Sequence, residues 1–600
     1  MKPSHGALGH AARLGSSIGR PIVASPGLWL RHASTTTSRR QPRPRHTAKV
    51  AACAAVLAVA AASAYYYSHL FKEQSSEPQA AAKAELEFEK PRKLPLSKEE
   101  NRELISSQHL QVKNSWEHPG VYLWGSNVGK VVDPGSDDKV VKLPRRLVYL
   151  DGQLLRDIKL KQNFGAAITE NGDLIQWGVA FSKADARPDK TLTGKDLVKL
   201  SVSADRIIAL SRAGAVYSVP ASRSDLLEGA KLDRKSSWSL WSSGGKETLS
   251  FRELTPAKLS RGEKIVQVSS GLEHCLMLTN KGRVFSAASS TLSFPSRGQM
   301  GIPGLEWETR PAGAYDQAHE MQTLSGIKVE QIATGDYHSV VLDKLGRVFS
   351  FGDNTYGQLG LETDGAMVSV SAPTMVNVNK LYAKSGLVPK VSMIEAGGSN
   401  TFFAVDVEMP LGHGTSQAVA PARRMPQGVS DVWACGHGVT GALGTGKWTH
   451  VSVAPTKIKA LSSLMEFNEA SNKMVPIRLK ALSVGSTHCS AVMDNVTETS
   501  ISQRSSKPET NWGADVVFWG GNEYFQLGTG KRSNMNTPGY IGPLDGGEGD
   551  EEKGRKGEVH RLCLTPRQTA RLGPGAQGRK ATLEQKVECG QFVTGVYSAV

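Results

Sequence analysis

Cysteine is scarce in this chain. Six are spread over 600 residues, and no two form a CxxC pair. That count excludes a scaffold built from disulfides and the usual zinc-ribbon spacing. Acidic residues are missing from the first 72 positions, where the first to appear is Glu73. No HExxH motif, nucleophile elbow or Ser-His-Asp pattern is visible, so the sequence makes no positive case for an enzyme. Hydrophobic residues at 39% and charged residues at 21% exclude a wholly disordered chain and a multi-span membrane protein.

The basic residues are unevenly placed. The formal charge is +16, and ten of the bases lie in the acid-free first 72 residues. Residues 73–600 therefore carry only +6, which argues against a nucleic-acid surface as the source of the basicity. Residues 1–46 are rich in Ser, Thr, Ala and Arg, the composition of a mitochondrial transit peptide. The alternative is a basic tail that binds acidic partners. Processing is expected near Arg31-His32-Ala33-Ser34, so residues 1–33 read as the transit peptide and 34–48 as a basic flank.

Between Lys49 and Lys72 lie 22 residues without Asp, Glu, Lys or Arg. About 20 such residues cross a bilayer as a helix. Tyr65, Tyr66 and Tyr67 stand at one end, where amphipathic rings favour the interface. One transmembrane helix is expected over 49–71; a buried soluble helix or an extension of the presequence are the alternatives. The arginines upstream would keep the N-terminus in the matrix and place the C-terminal part in the intermembrane space. Residues 72–119 read as a charged stalk. Ser97-Lys98-Glu99-Glu100 fits a capping box, so a helix is expected from about 98 to 112.

From residue 121 a unit repeats. Its clearest copy is ATGDYHSVVLDKLGRVFSFGDNTYGQLG (333–360): a small-residue turn, a strand, a tight turn at Gly346, a second strand and a Gly/Asn loop ending in Leu-Gly. The second strand recurs as VYLWG (121–125), DLIQWG (173–178), AVYSVP (215–220), RVFSAA (283–288), DVWACG (431–436) and DVVFWG (515–520). The strand before it recurs as FGAAIT (164–169), DRIIAL (205–210), GLEHCLML (271–278), GSNTFFAV (398–405), GSTHCSAV (485–492) and GQFVTGVY (590–597). The series opens on a second strand and closes on a first strand, so each terminus supplies the half-unit that the other lacks. A linear array needs caps, whereas a ring closes itself. The expected fold is all-β: a seven-bladed β-propeller over 120–600, closed by pairing 121–125 with 590–597.

These residues resemble the repeat of the regulator of chromosome condensation propellers. The resemblance covers roughly 120–600 and is best at 265–292, 330–360, 431–447 and 515–531. Two units depart from it by losing the WG signature, at Val219-Pro220 and Ala287-Ala288. Insertions at 222–262, 406–430, 494–514 and 542–585 exceed the usual repeat. With a transit peptide and one span, the whole chain looks like the fungal mitochondrial inner-membrane-anchored members of this family. That resemblance implies an assembly factor or interaction scaffold for a respiratory-chain complex, with ubiquinol–cytochrome c reductase as client. The alternative it implies is a guanine-nucleotide exchange factor for a mitochondrial GTPase. Expected partners are the inner membrane and respiratory-chain assembly proteins or subunits, not nucleic acid.

The remaining motif matches belong to the repeat. Gly436-His437-Gly438-Val439-Thr440-Gly441 has dinucleotide-fingerprint spacing but aligns with the loop at 352–357. Gly441 to Lys447 misses a phosphate loop because Trp448 replaces the magnesium-binding hydroxyl. His274, His338 and His488 recur at one repeat position, each after Gly-x-x. A copied histidine is expected to make the same local hydrogen bonds in each unit rather than to hold a metal. Cys275 and Cys489 read as small core residues. Asn495-Val496-Thr497 is a glycosylation sequon without consequence in a mitochondrion. No catalytic residue, metal ligand or cofactor is expected.

Overall fold

The computed structural model describes residues 107–231, 248–362, 368–408, 428–468, 473–495, 498–499, 510–511, 513–544 and 560–600. The expected transit peptide, the basic flank, the span at 49–71 with its Cys53, and residues 545–559 of the 542–585 insertion lie outside them. Among the described residues no helix is long and apolar enough to cross a membrane.

The 333–360 unit folds as its pattern predicts. Val329–Thr334, His338–Asp343, Val348–Asp353 and Ser369–Val376 form one antiparallel meander. The two middle strands are buried throughout, as expected of apolar runs packed on both faces. His338 pairs with Gly352 across the ladder. Gly352 has φ +107°, and a Cβ there would lie 2.6 Å from the Tyr337 carbonyl oxygen, so this position admits only glycine.

Four further meanders repeat the order. They begin at Leu197–Val202, Ile265–Ser270, Val388–Gly397 and Arg478–Val484. Together they make five blades of an all-β, propeller-like arrangement. The strands Val216–Pro220 and Val284–Ala288 keep their places although they lack the WG signature. A nine-stranded sheet completes the described strands. In it Leu155–Leu160, Gly165–Thr169, Leu174–Trp177 and Asp189–Lys190 meet a second run containing Lys580–Cys589, Val593–Ala599, Val121–Ser126 and Val140–Arg146. Val121–Ser126 lies antiparallel to Val593–Ala599, with Leu123 opposite Gly595. The two runs touch through one parallel bridge, Leu155 to Ala599.

Apolar side chains fill the spaces between sheets, with Trp124, Trp177 and Trp519 fully buried. Outer strands are the exposed edges on which other chains could add. Four of them carry a proline, Pro144, Pro373, Pro455 and Pro538. Proline lacks the N–H that edge pairing requires.

The helix assigned to the stalk is observed over Ser107–Glu117 and so runs past the expected end at 112. Pro119 then stops it, because proline cannot continue the helical ladder. This helix is docked on the sheets. Val112 is buried, and the Gln111 amide donates to the Arg561 carbonyl and accepts from the Cys563 N–H. Trp116 packs on Leu154, Leu572 and Leu583, which joins the N-terminal segment to the C-terminal one.

Candidate functional site: the axial cavity

The first strand of each meander faces the centre of the arrangement, and together they enclose a cavity of about 530 Å³. Small-residue turns close in at one mouth. Turn contacts turn: the Leu272 N–H donates to Asp336 O at 2.9 Å, Asp336 N–H to Gly398 O at 2.8 Å, and Gln591 N–H to Leu160 O at 3.1 Å. These approaches leave no space for side chains. A Cβ on Gly485 would lie 2.4 Å from Gly590 O, and one on Gly590 only 2.0 Å from Leu160 O. The glycines that recur in these turns, at 271, 335, 485 and 590, are thus set by the neighbouring sheet.

The three repeated histidines do what their repetition predicts. His274 Nε2 is 2.8 Å from Ser339 Oγ, His338 Nε2 is 2.8 Å from Thr401 Oγ1, and His488 Nε2 is 2.7 Å from Thr594 Oγ1. Each hydroxyl lies in the next sheet and donates to a loop carbonyl of the histidine's own sheet: Gln299, Gln358 or Gln526. The hydroxyl hydrogen is thereby used, so the imidazole Nε2 carries a proton and is the donor. The Nδ1 atoms have no partner among the described residues. Burial pushes the rings down to about 3 for His274 and His488 and about 4 for His338. They are neutral fasteners between sheets. Among the described residues no group of three potential ligands is arranged for a metal.

Indole groups fasten the sheets in a second way. Trp519 Nε1 donates to Ala442 O at 2.7 Å, and Trp124 Nε1 donates to Gln526 O at 2.9 Å. Each crosses to the preceding sheet's Leu-Gly loop. A Cβ on Gly444 would strike Trp519, and one on Gly528 would strike Trp124. The WG and LG halves of the repeat are therefore two sides of one contact. The fingerprint-like run 436–441 starts on the last residues of the strand Gly428–Gly438 and passes with the 441–447 run into such a loop before Thr449–Lys457, with no helix opening there.

The charged lining of the cavity was not anticipated from motifs. Lys159 Nζ sits 2.7 and 2.8 Å from the two Glu588 carboxylate oxygens. Burial works against its charge, but Glu588, Asp157 and Glu395 outweigh that and hold the ammonium above the ordinary lysine value. Burial pushes the Glu395 carboxyl up to about 7, against the pull of Lys159 and Lys199 and with Glu588 adding to the rise. At the glycine mouth burial raises Asp336 and lowers Lys161, each opposed by the other. One signal in the sequence marks these positions: Lys159, Ser201, Glu395 and Glu588 each stand two residues before a turn.

Comparison with known proteins agrees with the repeat. Two matches to the regulator of chromosome condensation (RCC1) repeat fall at residues 329–358 and 346–404. The chain thus carries RCC1 repeats on a propeller-like all-β fold. It is similar to a fungal mitochondrial protein of that type: the mitochondrial protein FMP25 of Saccharomyces cerevisiae is 27% identical over 454 residues, 71% of this chain and 67% of the yeast protein. The human regulator of chromosome condensation is 27% identical over 237 residues, 38% of this chain and 46% of the human protein. This chain thus spans less than half of that relative. Crystalline human WBSCR16 matches with a TM-score of 0.49 at 18% identity, over 80% of this chain and 99% of that one.

Proposed function

We propose that this chain is a mitochondrial interaction scaffold, tethered to the inner membrane by one helix at 49–71, that serves assembly of a respiratory-chain complex. The observation that carries the reading is the pairing of an acid-free, basic N-terminus with RCC1 repeats, in a chain similar to mitochondrial FMP25 over 71% of its length. The scaffold is a closed ring of seven blades. Support for closure comes from the seam itself: Gln526 O accepts from both Trp124 and Thr594, on the strands that join the two ends of the chain. The nine-stranded sheet counts as two blades in contact. The ring occupies the intermembrane space, and ubiquinol–cytochrome c reductase is the client. Crosslinking in intact mitochondria, followed by identification of bound proteins, tests this directly. Recovery of reductase subunits or their assembly proteins, with loss of the assembled complex on deletion, is the expected outcome. A deletion strain with every respiratory complex assembled refutes it.

A second reading rests on similarity to the human regulator of chromosome condensation: exchange of guanine nucleotide on a mitochondrial GTPase. Its mark is accelerated GDP release. No acceleration across the mitochondrial GTPases would remove it.

A further inference from the structure

The axial cavity holds two charge imbalances at different depths. Six residues that stand two positions before a turn line it: Lys159, Ser201, Ser269, Glu395, Ser483 and Glu588. Lys159 and Glu588 satisfy each other. The Glu395 carboxylate has no ion-pair or hydrogen-bond partner among the described residues and feels Lys159 and Lys199 only through space. This layer therefore carries one carboxylate in excess. Further back along the strands, at Lys586, two residues before Glu588 and roughly 7 Å nearer the other mouth, the balance reverses; Asp157 and Lys199 at this depth pair with each other at 3.3 Å. Lys586 and Lys480 both approach a single carboxylate, Glu584, at 2.9 and 3.9 Å. That layer has one ammonium in excess. In the Glu395 layer, Ser201 and Ser483 each accept a backbone N–H at 2.8 Å, from Ser270 and Cys589. Their hydroxyl hydrogens are left to donate.

We propose that the axial cavity binds a small zwitterion of dipeptide size, with its ammonium on Glu395, its carboxylate between Lys480 and Lys586, and its peptide carbonyl on a serine hydroxyl. The spacing of the two imbalances suits charges a few bonds apart rather than an α-amino acid. The volume lies in the range of ~300–1,000 Å³ typical of small-molecule sites. A purely cationic ligand would meet the Lys480–Lys586 pair, and a purely anionic one would meet Glu395. Ammonium binding favours ionised Glu395, so affinity rises from pH 6 to about pH 7.5, above which the ligand's own α-ammonium deprotonates. This site is independent of the scaffold reading.

The test is calorimetric titration of the full chain in detergent with glycylglycine, beside 1,4-diaminobutane and succinate. Saturable binding of glycylglycine alone is expected. Glu395→Gln weakens it about tenfold or more, the effect of losing one ~1.4 kcal/mol charge contact. Lys586→Met weakens it several-fold while Lys480 keeps Glu584 paired. Both variants are checked for an unchanged unfolding transition, and Lys586→Met gives an independent reading if Glu395→Gln does not fold. No binding of glycylglycine, equal binding of the diamine or of succinate, or unchanged affinity in both folded variants overturns the proposal.

Discussion

The buried histidines make a quantitative prediction about acid. Each of His274, His338 and His488 has no exposed surface and donates from Nε2 to a hydroxyl in the next sheet. An unfolded histidine titrates near 6.5. In the fold the rings titrate at about 3 to 4, so the native state binds fewer protons between those values. The stability they contribute is full above pH 6.5 and is lost as pH falls toward 4. At pH 4.5 each ring costs about 2.7 kcal/mol, and three cost about 8 kcal/mol, a large part of a typical ~5–15 kcal/mol. Glu395 opposes this. Its raised carboxyl favours the fold as pH drops from 7 toward 4.5, by at most about 3 kcal/mol and less where water reaches it. A single substitution separates the terms. Asn400 pairs with Gly436 as His338 pairs with Gly352, so asparagine already occupies the equivalent place one sheet on. His338→Asn is expected to lower stability at pH 7.5 by about 1–3 kcal/mol, from the smaller side chain. Its stability then falls less steeply with acid, by one proton or about 1.4 kcal/mol per pH unit between 6.5 and 4.5. Urea unfolding followed by tryptophan fluorescence at several pH values reads both. Parallel curves for the variant and the parent would refute the reasoning.

Other expectations follow from the packing. Gly590→Ala puts a methyl group 2.0 Å from Leu160 O and is expected to cost more than ~3 kcal/mol or abolish soluble expression, whereas Gly542→Ala, with nothing within 4 Å, stays within about 0.5 kcal/mol in the same melt. Trp124→Phe removes the indole bond to Gln526 and should cost about 1–2 kcal/mol; Trp124→Ala also opens a cavity at the seam and should cost about 3–5 kcal/mol in urea unfolding. The thiols of Cys275, Cys435, Cys489, Cys563 and Cys589 are buried, and burial pushes Cys275 and Cys589 up to about 12. Native protein should leave all five silent to Ellman's reagent at pH 8, and labelling of any one before unfolding would contradict the packing. Glu395→Gln should lose the part of the pH dependence between 7 and 4.5 that favours the fold in acid; an unchanged profile would place that carboxyl's titration elsewhere.

Legibility differed between the fold and the cavity. The strand pairs were readable because β-branched runs punctuated by glycine repeat in phase, and because the first and last units are complementary halves. The histidine position was readable as structural from its repetition alone. The cavity was not. Lys159, Glu395 and Glu588 lie on three different strands in ordinary amphipathic positions, and their one shared mark, a place two residues before a turn, does not by itself tell them from solvent-facing charges. The helix boundary at Glu117 was misread because a capping box marks where a helix starts, and Pro119 alone marks where it stops.

By itself, the sequence determined the all-β class, the copied unit, the positions that must be glycine, and the N-terminal concentration of basic charge, since these depend on backbone geometry and composition. Which glycines face a neighbour's carbonyl was decided only by the tertiary structure. So were the hydroxyl that each histidine reaches and the cavity where Glu395 is left without a partner. Those contacts join residues 60 to 430 positions apart, such as His338 with Thr401 and Lys159 with Glu588. Their energies depend on burial and on charges from other sheets, which exist only after the sheets have assembled around one axis.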